Sequence, residues 1–242
     1  MTDIYTTLNC AVEESTIGGR TWGLMEQDLF VSQNITADDV LVVSIGGNDV
    51  ALRPTPCTIV NILALTCCTS TGCIETTACG TSCPVEDYWA GCTFGCLSNA
   101  LAFPLGYGYF LHLFGTRIRH FVTRILKGKR PKKIVVCMLY FLDETPGNSW
   151  AEPTLAALGY NKNPQHLQAV LRSAFRDATQ QIEIPGTEVV AVPLFKSLNG
   201  KTTSDYAQRV EPSAIGGAKM GKQLVEAILN GNGSADGSRD AI

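Results

Sequence analysis

Residues 39–49 read DVLVVSIGGND, and this stretch decides the fold class of the chain. Its first seven residues form a short, β-branched and almost entirely apolar run, which is typical of a strand buried on both faces of a parallel sheet. Gly46 and Gly47 end the run, since glycine permits the tight turns that follow strands. Ligands of parallel sheets bind beyond the carboxyl ends of the strands, so a site is expected at residues 46–49.

The rest of the chain alternates strands with helices. Residues 133–140 and 188–193 repeat the buried-strand pattern, and residues 116–126, 165–182 and 215–229 carry apolar residues at helical spacing. Strands that alternate with helices imply crossover connections between parallel strands. We therefore predict an α/β fold, a three-layer α/β/α sandwich with a parallel sheet.

Length and composition bound the function. The chain has 242 residues, of which 45% are hydrophobic and 17% charged, so it can bury a sizeable core. Its formal net charge of −3 provides no basic field that would gather nucleic acid. We expect no nucleic-acid partner.

The ten cysteines are unevenly distributed, because eight of them lie between Cys57 and Cys96. Segment 55–113, which is first cysteine-rich and then apolar, is predicted to be an insertion that protrudes from a body formed by residues 1–54 and 114–230. An oxidising compartment favours disulfides there, and a reducing one favours free thiols or a thiolate metal site. Cys-x-x-x-Cys spacings favour disulfides or free thiols over zinc, so neither metal nor cofactor is predicted.

Three further segments bear on the setting of the protein. No charged and then apolar leader opens the chain, which favours the cytoplasm by default, whereas the cysteine-rich segment hints at an oxidising compartment. Residues 97–114 are uncharged, but Pro104 and Gly106 oppose a stable membrane span, and a buried or lid-like segment is expected. Residues 231–242 are rich in turn formers and are predicted to be a disordered tail.

Three motifs resemble conserved blocks of the SGNH (GDSL-type) ester hydrolases. Gly46, Asn48 and Asp49 match the family's Gly-x-Asn-Asp block in order. Residues 8–16, LNCAVEEST, are similar to the block that precedes it, and residues 209–217, RVEPSAIGG, are similar to the block that leads into the last helix.

This resemblance implies hydrolysis of a small carboxylic ester or lipid ester on an SGNH or flavodoxin-like sandwich, with no cofactor. It assigns the side chain of Asn48 and the backbone N–H of Glu14 as donors to the oxyanion, and Asp49 as the support of the turn. Glu14 stands where the family has a glycine. It keeps the N–H, but a glutamate does not share the backbone freedom of glycine.

Departures from the family concern the nucleophile and the base. The Gly-Asp-Ser block should precede Asn9 by some tens of residues, and only eight residues do so; we expect either a start within a longer protein or a lost first strand. The position of the catalytic histidine holds Glu211, and that of the catalytic aspartate holds Gln208. No histidine occurs in a matching motif, and His166 is expected to be a packing or surface residue.

The roles of Glu211 and Ser15 allow alternative interpretations. Glu211 can act as a base if burial raises its pKa, or it only caps the last helix ahead of Pro212. Ser15 is an alternative nucleophile. The chain is thus predicted to be an ester hydrolase that turns over simple aryl esters very weakly or not at all; the alternative is a non-catalytic SGNH-like domain that binds in its cleft or through the cysteine-rich insertion.

Overall fold

A parallel sheet lies at the centre of the computed structural model, which describes residues 5–80, 102–147 and 149–230. Its strands are β1 (Val40–Ser44), β2 (Lys133–Met138) and β3 (Glu188–Pro193), in the order β1-β2-β3. Both strand pairs are parallel, so the three carboxyl ends share one edge of the sheet. The predicted α/β fold with a parallel sheet is confirmed, and each strand begins within one residue of its predicted start.

Helices connect and flank these strands. They are α1 (Glu26–Asn34), α2 (Gly47–Ala51), α3 (Pro56–Cys68), α4 (Thr71–Thr77), α5 (Tyr107–Leu111), α6 (Ile118–Leu126), α7 (Glu152–Ala157), α8 (Pro164–Asp177) and α9 (Ala214–Asn230). A π-helical stretch, His112–Arg117, joins α5 to α6, so the helix predicted from residue 116 begins earlier. Two short antiparallel strands, β4 (Tyr206–Gln208) and β5 (Glu211–Pro212), precede α9.

Both faces of the sheet carry helices. On one face, Ile134, Val136 and Met138 of β2 join a large buried cluster with α5, α6 and α8. On the other face, Val135 and Cys137 pack with β3 and with α9. Every residue of β2 is buried, as predicted for a strand between two helical layers.

β1 differs from its prediction, because only Val43 of its five residues is buried. β1 lies at the edge of the sheet, and Val42 and Ser44 are exposed. The expectation that this strand is buried on both faces is therefore wrong. An apolar run indicates that a strand can be buried, but not whether neighbours cover it.

The described part of the cysteine-rich segment packs onto the body. Ile62 and Leu65 of α3 and Ile74 of α4 are almost completely buried in the main core, and the hydroxyl of Ser173 on α8 donates a hydrogen bond to the carbonyl of Ile74. A protruding insertion is therefore wrong for α3 and α4. Their inward faces are apolar and cover α5 and α8.

Cysteine states are mixed in this segment. Cys68, Cys73 and Cys79 are free thiols, and Cys57 is disulfide-bonded. Cys83, Cys92 and Cys96 lie outside the described residues, as does the predicted tail at 231–242. Across the part of the chain that the structure describes, no group of three or more His, Cys, Asp or Glu side chains could hold a metal ion.

The part of the uncharged segment 97–114 that runs from residue 106 to residue 114 is buried, one of the two outcomes predicted for the segment, whereas Phe103 and Leu105 are exposed and residues 97–101 lie outside the described residues. Tyr107, Phe110 and Phe114 are almost fully enclosed. Among the described helices, none is by itself long and apolar enough to cross a membrane; α3 and α4 meet the length and composition criteria only as a pair bent by 100°.

Candidate functional site

The turn after β1 places Asn48 and Asp49 at the carboxyl edge of the sheet, as predicted. Gly46 has a φ of 106°, and a Cβ there would lie 3.1 Å from the ring of Phe114, so both the backbone and the packing require glycine. α2 begins at the next residue, Gly47. The chain therefore turns tightly after Ile45, and Asn48 lies three residues further along the chain.

Asn48 and Asp49 hold the loop of residues 14–18. The Nδ2 of Asn48 donates to the carbonyl oxygen of Ser15 at 3.1 Å, across 33 residues of sequence. The carboxylate of Asp49 accepts hydrogen bonds from the backbone N–H groups of Ile17 and Gly18, each at 2.8 Å. The two motifs that resemble neighbouring SGNH blocks are thus in direct contact.

A buried ion pair between Asp49 and Arg117 stabilises this contact. The side chains of Asp49 and Arg117 are each 7% exposed, and Arg117 Nη1 lies 3.9 Å from Asp49 Oδ1. A carboxylate with little access to water needs a nearby cation and hydrogen-bond donors, and Asp49 has both. The position of the loop is therefore fixed by electrostatics as well as by hydrogen bonds.

Glu14 adopts the backbone conformation that glycine normally supplies. Its φ is 57°, in the left-handed region where non-glycine residues are uncommon. Within residues 5–80, 102–147 and 149–230, its backbone N–H donates no hydrogen bond. The carboxylate of Glu14 is exposed and lies 4.0 Å from Arg53. Glu14 thus offers a free N–H one residue from the carbonyl that binds Asn48.

Glu211 lies on the same edge of the sheet but in a different setting. It belongs to β5 and is exposed, and its Oε1 accepts a hydrogen bond from the indole Nε1 of Trp150 at 2.8 Å. Burial raises the pKa of Tyr140, which follows β2, to about 12, and the negative charge of Glu211 adds to this rise. The hydroxyl of Tyr140 also donates to the carbonyl oxygen of Val210 at 2.7 Å, so Glu211 lies near the residues that follow β2.

Both roles considered for Glu211 need correction. The burial that a carboxylate base requires is missing, because this side chain is in solvent. It does not cap α9 either, since the Oγ of Ser213 accepts the hydrogen bond from the N–H of Gly216 in the first turn of that helix. Although Glu211, Ser15 and Asn48 all lie in the described part of the chain, no hydrogen bond joins Glu211 to the other two.

An open groove of about 440 Å³ lies beside Trp150, the hydrogen-bond partner of Glu211, and was not predicted from the sequence. It is lined by Gly147, Ser149, Trp150, Glu152 and Gln208. Arg209 is buried beneath it and donates from Nη1 to both carboxylate oxygens of Glu152, which lowers the pKa of that carboxyl. Arg209 in the last motif and Gln208, at the position of the family's catalytic aspartate, are the sequence features that point to this region.

The three histidines of the chain lie on helices. His166 of α8 is buried, and its Nε2 is 3.1 Å from the carbonyl oxygen of Leu65, which confirms a packing role. His112 is fully buried in the π-helical stretch, and His120 is half-buried on α6. None of the three belongs to the loop or the turn that meet at Asn48.

Two N–H donors are therefore left without an acceptor where the loop of residues 14–18 meets the turn after β1. Asn48 has a second amide proton besides the one bound to Ser15, and the N–H of Glu14 is free among the described residues. Such donors can stabilise an oxygen that acquires negative charge. Comparisons with protein-family models, with curated proteins and with solved structures found no match to this chain.

Proposed function

We propose that the chain is an SGNH-like ester hydrolase domain that acts on carboxylic or lipid esters. The observation that carries this proposal is the hydrogen bond between Asn48 and Ser15, next to a left-handed Glu14. The resemblance assigns Asn48 and the backbone N–H of Glu14 to the oxyanion donors of the family. The hydrogen bond spans 33 residues of sequence and brings together the two motifs that carry these donors.

The chemistry follows from the two donors. Attack on an ester carbonyl converts its oxygen into an oxyanion, and the N–H groups of Asn48 and Glu14 would stabilise that charge. Removing one such donor costs roughly 10²–10³-fold in rate in well-studied enzymes. The carboxylate of Glu14 would oppose an oxyanion, but it lies towards Arg53.

Turnover by this chain is expected to be weak. Ser15 is half-buried, and none of the histidines stands beside it as a base; a serine nucleophile needs such a neighbour to be activated. Oxyanion donors and binding alone leave roughly 10³-fold acceleration over water in a triad-deleted protease. We expect a rate of that order.

Hydrolysis of p-nitrophenyl acetate and butyrate tests the proposal. The initial rate should exceed that of buffer, and Asn48→Ala should reduce it to the buffer rate. Asn34→Ala is the matched control, because Asn34 also donates its amide to a backbone carbonyl, that of Phe30, but on the exposed end of α1. Equal rates for the wild type and a folded Asn48→Ala variant would contradict the proposal.

The second candidate is a non-catalytic domain that binds esters, and the exposed position of Glu211 favours it. A non-hydrolysable alkyl phosphonate monoester separates the two candidates by calorimetry. Binding that depends on Asn48, together with no hydrolysis above the buffer rate, would assign the chain to the binding class. Binding together with Asn48-dependent hydrolysis would assign it to the hydrolases.

A further inference from the structure

The groove beside Trp150 is separate from the turn and the loop that meet at Asn48. Its volume of about 440 Å³ falls within the range of about 300–1,000 Å³ that small-molecule sites usually occupy. It is lined by residues ahead of and within the first turn of α7, and by Gln208 of β4. None of the described lining residues belongs to the loop of residues 14–18 or to the turn after β1.

Trp150 supplies the apolar surface of this groove. Its indole Nε1 donates to Oε1 of Glu211 at 2.8 Å, so the ring is tethered through its nitrogen. Trp150 is nevertheless 46% exposed. A tethered aromatic ring with an open surface is suited to stacking against the apolar face of a ring-shaped ligand, because its orientation is already fixed before the ligand binds.

Glu152 lines the groove with its charge already compensated. Nη1 of Arg209 donates to both carboxylate oxygens, at 2.9 and 2.8 Å, and Nδ2 of Asn161 donates to Oε1 at 2.9 Å. These hydrogen bonds, together with one from the N–H of Gly147, lower the pKa of the carboxyl. The acceptor positions of Glu152 are therefore occupied, and this carboxylate offers little attraction to a cation.

Polar groups with unused hydrogen-bonding capacity lie around the same indole. Within the described ranges, the exposed side-chain amide of Gln208 takes part in no hydrogen bond, so it offers both donors and an acceptor. The Oγ of Ser149 accepts the N–H of Ala151 at 3.3 Å and keeps its own proton to donate. The carboxylate of Glu211 accepts from the indole with one oxygen and retains acceptor capacity on the other. The groove thus combines an aromatic surface with neutral donors and a carboxylate acceptor.

Several classes of small ligand fit these groups poorly. An anion would meet the carboxylate of Glu211, and Arg209, the cation bonded to Glu152, is only 3% exposed. An organic cation would stack on the indole, but Glu152 is already paired, which leaves Glu211 to compensate its charge. A hydrocarbon would leave the amide of Gln208 and the hydroxyl of Ser149 without partners. A polyhydroxylated ring has both an apolar C–H face and hydroxyl groups at its edge, so it satisfies the indole and the polar groups together.

We propose that the groove beside Trp150 binds a neutral sugar ring. The C–H face of the sugar would stack on the indole, and adjacent hydroxyl groups would accept hydrogen bonds from Gln208 and Ser149 and donate one to Glu211. A hydroxyl group both donates and accepts, which is what this set of partners requires. The donors at Asn48 take no part in this binding, which is therefore independent of ester hydrolysis.

Titration of the full chain with neutral methyl glycosides tests this proposal. The panel consists of the methyl glycosides of glucose, galactose, mannose and N-acetylglucosamine, and NMR follows the indole N–H signal of Trp150, which Trp150→Phe assigns. We expect at least one glycoside to shift this signal saturably. Caffeine, which stacks on aromatic rings but has no hydroxyl group, and tetramethylammonium, which is a cation, should not shift it saturably.

Variants measured by calorimetry locate the binding. Trp150→Ala should abolish saturable binding of the glycoside, whereas Trp22→Ala, which removes another exposed indole, should leave the affinity unchanged. Gln208→Leu, at an exposed position, should lower the affinity about tenfold, because a sugar hydroxyl loses its partner. Asn48→Ala should bind the glycoside as the wild type does, so this proposal and that of ester hydrolysis fail separately.

Three results would overturn the proposal. One is the absence of a saturable shift of the Trp150 signal with every glycoside of the panel. Another is saturable binding of caffeine or tetramethylammonium that is lost in Trp150→Ala, since the groove would then recognise an aromatic ring or a cation. The third is wild-type affinity for the glycoside in a folded Gln208→Leu variant.

Discussion

Gly216 lies directly against the backbone of Asp205: a Cβ at position 216 would be 2.1 Å from the carbonyl oxygen of Asp205. The same carbonyl accepts the N–H of Ser213 at 2.8 Å, and the carboxylate of Asp205 accepts two hydrogen bonds from Lys219. The first turns of α9 are therefore held against Asp205, the residue before β4. This contact fixes the strand pair that carries Glu211.

Gly216→Ala is expected to destabilise the protein by about 1–3 kcal/mol, because the added methyl group meets backbone that cannot move aside cheaply. Urea unfolding measures the change. Gly217→Ala is the matched control, since a Cβ there meets nothing within 4 Å, and replacing glycine within a helix stabilises by about 0.5–1 kcal/mol. If both variants are equally stable, the close approach at Gly216 is not as described.

Asp49→Ala is expected to cost about 3–5 kcal/mol of unfolding free energy. The substitution leaves Arg117 buried without its counter-charge and removes the acceptor of the Ile17 and Gly18 N–H groups. Hydrogen exchange at Ile17 and Gly18 should accelerate more than exchange in β2. Asp39→Ala, which removes an exposed acceptor of the Thr36 N–H, should cost only about 1 kcal/mol.

Glu211→Gln is expected to lower the pKa of Tyr140 from its value of about 12, because burial is the larger cause of the rise and Glu211 the second. An unfolded tyrosine has a pKa of about 10. The contribution of Tyr140 to stability is therefore complete below about pH 10 and is lost between about pH 10 and 12, where the unfolded state gives up its proton first.

The variant should thus lose less stability than the wild type across that alkaline window. NMR of ring-labelled tyrosine measures the pKa of Tyr140 directly. Urea unfolding at about pH 9 and about pH 11 measures the loss of unfolding free energy between these two values. Glu226→Gln, at an exposed position on α9, should leave the titration of Tyr140 unchanged. An unaltered Tyr140 titration in Glu211→Gln would show that Glu211 lies elsewhere.

His166→Phe is expected to reduce stability by about 1–3 kcal/mol without changing ester hydrolysis. The substitution leaves the carbonyl of Leu65 without its partner in the core. Thermal unfolding and the p-nitrophenyl ester assay measure the two effects. A variant that stays folded but loses Asn48-dependent hydrolysis would make His166 part of the reaction after all.

The sequence predicted those features that depend on local pattern. β2 and β3 were predicted because β-branched runs of that length form strands, and the position of Asn48 just beyond β1 was predicted from the glycines that end that run. Helix α8 was predicted from the spacing of its apolar residues, although it ends earlier than expected, at Asp177.

Features that depend on distant partners were not predicted. The exposure of β1 reflects which elements lie beside it, and periodicity within one strand carries no such information. The pair formed by Arg209 and Glu152 joins residues 57 apart that belong to no common motif. The inward packing of α4 was missed because its one cysteine and three threonines form no apolar pattern around the single buried residue, Ile74.

Because Cys137 is enclosed in β2, the reaction of its thiol with an alkylating reagent reports the rate at which the sheet opens. Its side chain is only 2% exposed, and burial raises its pKa to about 12, so the native protein presents almost no reactive thiolate at this position. Cys68 and Cys79 are exposed free thiols and are available to alkylating reagents at once. Delayed alkylation of Cys137, read by mass spectrometry, therefore times the separation of β2 from its two neighbours.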